Sequence, residues 1–192
     1  MGKGTYVVGI DEAGRGPLAG PVAVGVVCVP NHMPKTTFNG IRDSKKLSQK
    51  AREQWYERMI TTPEVQWAVA FTGPKVIDSR GIQYAVRSAL GRALKRISLD
   101  PAVTLVLLDG GLRAPEHFRN QKTIIRGDAT EPLISAASVL AKVTRDKYMH
   151  QVDTQYPQYG FAIHKGYGTQ AHRLAIQHHG PCPIHRNSFI HF

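Results

Sequence analysis

The residues of this chain with the clearest chemical potential are acids. Only 14 Asp and Glu stand against 25 Lys and Arg, and four of those acids share a placement. Asp11 and Glu12 follow an apolar, β-branched run at residues 5–10 (TYVVGI). Asp109 follows the most apolar run, 103–108 (VTLVLL), and Asp128 follows a short strand-like run at 122–126. Strand ends in open α/β sheets are where sites form, so neighbouring strands would gather the four carboxylates on one patch. Such a cluster cannot ionise fully unless cations neutralise it. All-oxygen donors select hard cations, Mg2+ or Mn2+. Taken singly, Asp109-Gly110 reads as a turn. Two adjacent acids beside a buried strand are costlier to explain, because they lose solvation without a partner.

Elements must hold these acids in place. A glycine-rich link at 13–20 leads from the first strand to a second strand-like run at 21–29. Ser48 is suited to cap a helix over 49–60, residues 65–72 alternate as a strand, and helical spacing returns over 82–97. Pro132 opens a long helix over 133–149, apolar on one face, with Ala136-Ala137 for close packing. Beyond Pro157 and Gly160 the chain reads as loop, then as a short helix around 170–179. No repeat, low-complexity tract or linker interrupts it. The expected organisation is one α/β domain over 1–192, with about 150–192 as a helical C-terminal appendage contributing to substrate binding.

A formal net charge of +11 draws polyanions. Nothing near the start reads as a signal peptide, and no apolar run approaches the roughly 20 residues of a membrane helix. A soluble, cytoplasmic protein without a membrane partner is expected. Cys28 and Cys182 form no CxxC pair; Cys28 reads as a small buried hydrophobe, and no disulfide framework is expected. Cys182 and His185 have zinc-like spacing but lack a second spaced pair, so no zinc site is expected. Seven of the nine histidines fall after residue 149, a region read as a basic, partly aromatic nucleic-acid face. The aromatics of the terminal SFIHF at 188–192 could dock a partner, but a frayed end is the plainer reading.

Gly14-Arg15-Gly16 and Gly20 do not have the spacing of a dinucleotide loop, and a strand-like run follows them where a helix would be required. What these glycines permit is close backbone approach to a ligand beside the acid pair. The run Gly9-Ile10-Asp11-Glu12-Ala13-Gly14-Arg15-Gly16-Pro17 resembles the opening signature of the ribonuclease HII family. The resemblance continues through Asp43-Ser44-Lys45-Lys46-Leu47, Leu108-Asp109-Gly110 and Gly127-Asp128. It recurs in SAASVLAKVTRD at 135–146 and HKGYGT at 164–169, so it spans nearly the whole chain.

This resemblance implies a ribonuclease-H-like α/β fold, with a mixed central sheet flanked by helices and a helical C-terminal extension. It implies a site of Asp11, Glu12, Asp109 and Asp128 holding two divalent ions during catalysis, with Asp11 expected as the bridging ligand. Asp146 competes for the fourth place, but it follows Lys142 by four residues in an amphipathic helix, where a surface ion pair is the plain explanation. The implied enzyme is an endonuclease that hydrolyses the RNA strand of RNA/DNA hybrids and cuts 5′ to ribonucleotides embedded in duplex DNA. It would leave 3′-hydroxyl and 5′-phosphate ends and serve ribonucleotide removal and genome maintenance. A monomer is expected.

In that family the segment matching Gly14-Arg15-Gly16 reads the ribose 2′-hydroxyl, which separates RNA from DNA. A tyrosine matching Tyr167 packs on the next deoxyribose. Ser44, Lys45, Lys46, Lys142 and Lys165 are candidate phosphate contacts, each read equally well as solvated surface polarity. Two rivals stand beside this. A junction-resolving nuclease of the same fold would cluster acids but have no use for a ribose-reading loop. A non-catalytic nucleic-acid-binding module would leave the acids unexplained.

Overall fold

The computed structural model describes residues 6–41 and 47–192. Strands β1 (Tyr6–Ala13), β2 (Val22–Pro30), β3 (Gln66–Thr72), β4 (Thr104–Asp109) and β5 (Gln121–Ile124) form one sheet in the order β3-β2-β1-β4-β5. β1, β2 and β3 pair antiparallel, while β4 pairs parallel to both β1 and β5. The sheet is therefore mixed, as expected.

Strand alternation sorts β1 onto two faces. Val8 and Ile10 join Val106 and Leu108 of β4 in one core, all fully buried. Helix α3 (Ile82–Lys95) covers this face with Ala85, Val86, Ala89, Leu90, Ala93 and Leu94, a stripe at helical spacing. Each large apolar side chain so buried contributes about 1.5–3 kcal/mol. No sequence pattern marks α2 (Pro74–Arg80), whose seven residues lie between Gly73 and Gly81. So short an element shows almost no periodicity.

The opposite face carries Gly9 and Asp11, and it is covered by α5 (Pro132–Asp153) with α1 (Gln49–Thr61) packed beside it. The approach of α5 is unusually close. A Cβ on Gly9 would meet the Leu133 carbonyl oxygen at 2.2 Å, and one on Gly25 would meet that of Ala137 at 2.4 Å. Ala136, Ala137 and Ala141 complete this contact without bulk. At the start of α1, Ser48 Oγ accepts the Ala51 N–H at 3.2 Å, the cap expected from sequence.

After α5 come α6 (Phe161–His164) and α7 (Gln170–His179). A third apolar cluster joins this region to the β1–β2 link through Leu18, Ala19, Met149, Tyr159, Phe161 and Ile176. Among the described residues, no helix is long and apolar enough to cross a membrane. Cys28 is buried, and both cysteines are free.

Two expectations need correction. Asp11 and Glu12 do not follow the first strand; they lie within it, because pairing with β2 runs on to Ala13 opposite Ala23. Nor does the C-terminal segment fray from residue 188. The Asn187 and Ser188 amides each donate to the Asp78 carboxylate at 3.0 Å, and Phe189 packs against the core.

Candidate active site

The parallel register pairs Ile10 with Leu108, so the next residues, Asp11 and Asp109, stand side by side on the face toward α5. Asp11 is only 5% exposed. Its Oδ1 accepts the Glu12 amide at 2.7 Å, and Ser138 of α5 hydrogen-bonds its side chain. Burial pushes the Asp11 pKa well above the usual carboxylate value, and the negative charges of Glu12 and Asp109 push the same way. The hydrogen bonds from Ser138 and the Glu12 amide oppose them. Glu12 is also raised, chiefly by burial, while Arg15 at 3.1 Å opposes through its hydrogen bond and charge.

Asp109 ends β4 and is oriented from the next turn. Its Oδ1 accepts the amides of Gly127 at 2.7 Å and Asp128 at 3.4 Å. Both belong to α4 (Gly127–Thr130), entered through Arg126 in the left-handed region at φ 55°. Asp128 is 5% exposed, and its carbonyl accepts Ser135 Oγ of α5 at 2.5 Å. Asp146, by contrast, is paired with Lys142 at 2.9 Å, the ion pair that its spacing predicts.

The donor set fits a divalent cation in kind, since all four groups are carboxylates, and burial and like charge disfavour ionised Asp11 unless a cation offsets them. Among the described residues, no three His, Cys, Asp or Glu side chains already enclose one point. Closing a coordination shell therefore takes side-chain rotation, which a cation favours by removing the mutual repulsion.

Beside the carboxylates, the link from β1 to β2 is gripped by two fully buried arginines. Arg145 donates from Nε to the Pro21 carbonyl (2.9 Å), from one terminal nitrogen to Lys165 (3.0 Å) and from the other to Ala19 (3.1 Å). Arg186 donates likewise to the carbonyls of Gly20 (2.9 Å), Arg15 (2.8 Å) and Gly14 (2.6 Å). Burial, and then the charge of Arg145, lower the Arg186 pKa to about 9, so it remains charged at neutral pH. Charged donors on carbonyls make strong hydrogen bonds, and these fix the loop containing Gly14-Arg15-Gly16.

Tyr167 lies on the neighbouring loop, 43% exposed, with the Lys142 ammonium 5.7 Å and the Arg145 guanidinium 5.9 Å from its ring centre. Its carbonyl is held by His172 Nδ1 at 2.9 Å. The His172 and His185 Nε2 atoms lie 3.0 Å apart, and His185 Nδ1 accepts the Cys182 amide at 2.9 Å. Only one proton arrangement satisfies this chain: His185 Nε2 donates to His172 Nε2, and His172 Nδ1 donates to Tyr167, with both rings neutral. The expectation that the late histidines form a nucleic-acid face thus fails for His172 and His185, which are buried, and for half-buried His164, which is bonded to Tyr159 and Gly166.

The structure brings Asp11, Glu12, Asp109, Asp128 and the Gly14-Arg15-Gly16 loop to one end of the sheet. Lys142 faces Tyr167 but is tied to Asp146. Lys165 turns its ammonium onto the Ala162 carbonyl. Ser44, Lys45 and Lys46 lie outside the described residues. Sequence reasoning missed Ser138, Arg145, Arg186 and the His172–His185 pair as parts of this architecture. For Arg145 a signal existed: it interrupts the stripe Ala141, Arg145, Met149 at helical spacing on the buried side of α5.

Comparison with known proteins identifies the family. The family model described as Ribonuclease HII matches residues 8–192. A ribonuclease HII of Coxiella burnetii is 48% identical over 183 residues, covering 95% of this chain and 87% of that one. The crystal structure of ribonuclease H2 from Pyrococcus horikoshii superposes with a TM-score of 0.77 at 25% identity, covering 95% of this chain and 93% of that one. At 18% identity, Bst-RNase HIII in complex with Mn2+ shares the fold, with a TM-score of 0.65 and coverage of 92% and 63%. With a matched model over nearly its whole length and a close relative of the same description, the chain belongs to the ribonuclease HII family, metal-dependent hydrolases that cleave RNA in RNA/DNA hybrids.

Proposed function

We propose that this chain cuts duplex DNA on the 5′ side of an embedded ribonucleotide, besides cleaving the RNA strand of hybrids, and leaves 3′-hydroxyl and 5′-phosphate ends. The observation that carries the reading is the placement of Asp11, within β1, next to Asp109, the last residue of the adjacent parallel strand β4, beside a loop clamped by two buried arginines. Asp11, Glu12, Asp109 and Asp128 are the residues that would hold two divalent cations, Mg2+ or Mn2+. When bound, such ions activate the attacking water and stabilise the leaving 3′-oxygen.

The remaining work belongs to the chain itself. Asp109, oriented by the Gly127 and Asp128 amides, and Asp11, hydrogen-bonded to Ser138, present their oxygens side by side. The backbone at Gly14-Arg15-Gly16 is held for the 2′-hydroxyl, whose donor and acceptor character marks RNA. Tyr167 offers an exposed aromatic face to the following deoxyribose.

The test is incubation with a DNA duplex carrying one ribonucleotide, with Mg2+, with Mn2+ and with chelator. A single metal-dependent nick 5′ to the ribonucleotide, with a 3′-hydroxyl end, is expected. Equal cutting of all-DNA duplex, or no cutting with either metal, would overturn the reading.

A further inference from the structure

An open groove of about 390 Å3 adjoins the carboxylates on the side of α3. Three separate segments wall it. Arg15 comes from the β1–β2 link, Gln83 and Arg87 from α3, and Gly111 and Arg113 from the turn that continues β4 beyond Asp109. Among the described residues, no acid lines it. Arg15 is paired with Glu12 at 3.1 Å, so the groove shares that ion pair with the catalytic patch.

Arg87 and Arg113 differ from Arg15. Both are exposed, and among the described residues neither has a carboxylate, hydrogen-bond or aromatic partner. Two unpaired guanidiniums bordering one groove repel each other until an anion arrives. Each offers a planar fork that matches two phosphate oxygens. The neighbouring carboxylates repel a polyanionic substrate before metal neutralises them, so cations beside them are needed to hold the backbone in place. Gly111 has no neighbouring heavy atoms around its Cβ position, which leaves its backbone open to approach.

We infer that this groove is a phosphate subsite, in which Arg87 and Arg113 hold backbone phosphates of the duplex next to the cleaved position. The inference rests on the proposed duplex substrate, but its test is separable because it reads binding without metal.

The experiment compares the chain with its Arg87→Gln/Arg113→Gln variant. Binding of a labelled duplex with one ribonucleotide is measured in chelator between about 50 and 200 mM salt. The slope of log affinity against log salt should become shallower by about 1–2, since each phosphate that is no longer neutralised removes about 0.9. In parallel, single phosphates of the duplex are replaced by neutral methylphosphonates. The unaltered chain should bind more weakly at one or two positions where the double variant is weakened no further. An unchanged slope, or equal weakening of both proteins at every position, overturns the subsite. A shallower slope with matched phosphate positions upholds it even if the ribonucleotide is never cut, a result that would sink the proposed function alone. Cutting as proposed with an unchanged slope would sink the subsite alone.

Discussion

Gly14→Ala loads the arginine clamp at its tightest point. Gly14 sits at φ +87°, and an added Cβ would lie 2.1 Å from Arg145 Nε and 2.6 Å from its Cδ. Left-handed backbone alone costs a residue with a side chain about 1–2 kcal/mol. The Arg145 guanidinium is fully buried and cannot retreat without loosening its bonds to Pro21, Ala19 and Lys165. A hydrogen bond from a charged donor is worth about 1.5–3 kcal/mol, so breaking one brings the total to about 3–5 kcal/mol. For a chain of this size that lowers Tm by about 6–20 °C. Calorimetric and urea unfolding measure it directly. Gly16→Ala is the control: nothing lies within 4 Å of a Cβ there, so stability should change by less than about 0.5 kcal/mol while kcat/KM falls. A Gly14→Ala protein within about 1 kcal/mol of the parent would refute the clamp, as would an equal destabilisation in Gly16→Ala.

Asp11→Asn should lower cleavage by about 1,000-fold or more, several kcal/mol of transition-state stabilisation, while raising Tm in the absence of metal. The second effect follows because a buried carboxylate beside Glu12 and Asp109 opposes folding; an unchanged cleavage rate or a lower metal-free Tm contradicts the assignment. Tyr167→Ala should cost about 1–3 kcal/mol in kcat/KM on a duplex with one ribonucleotide and less on a continuous hybrid, with Tyr167→Phe nearly unaffected. Equal losses on both substrates would assign the ring to general binding. Burial lowers the His172 pKa to about 4, against about 6.5 in an unfolded chain, so the folded protein binds fewer protons. Stability should be full above about pH 7 and fall by about 2–3 kcal/mol toward pH 4, and His172→Phe should flatten that acid limb in urea titrations. An equally steep limb in the variant would remove the neutral pair from the account.

The strands and long helices were legible because burial writes itself into local pattern. Residues 103–108 are apolar but for Thr104, the α5 stripe is apolar but for Ser135, Ser138 and Arg145, and α7 has the bounds its spacing suggests. The limits of β1 were not legible, since they depend on how far β2 extends beside it. The four acids could be chosen by position along the chain, whereas the orienting amides of Gly127 and Asp128 appear only once β5 turns back through Arg126. Arg186 had no local signature at all. Its partners are Gly14, Arg15 and Gly20, far away in sequence, and no periodicity links residues so distant.

That distance has a consequence for biosynthesis. Arg186 closes contacts across 166 to 172 residues, onto a loop that leaves the ribosome long before it does. The sheet's antiparallel half can pair early, but the backbone facing the substrate stays unclamped until residue 186 has emerged. A nascent chain stalled before that point would carry every proposed metal ligand and still present a loose loop. Protease cutting after Arg15, measured on stalled chains carrying C-terminal spacers of increasing length, should drop sharply once Arg186 clears the exit tunnel. Protection gained well before that length would show that the loop is ordered without it.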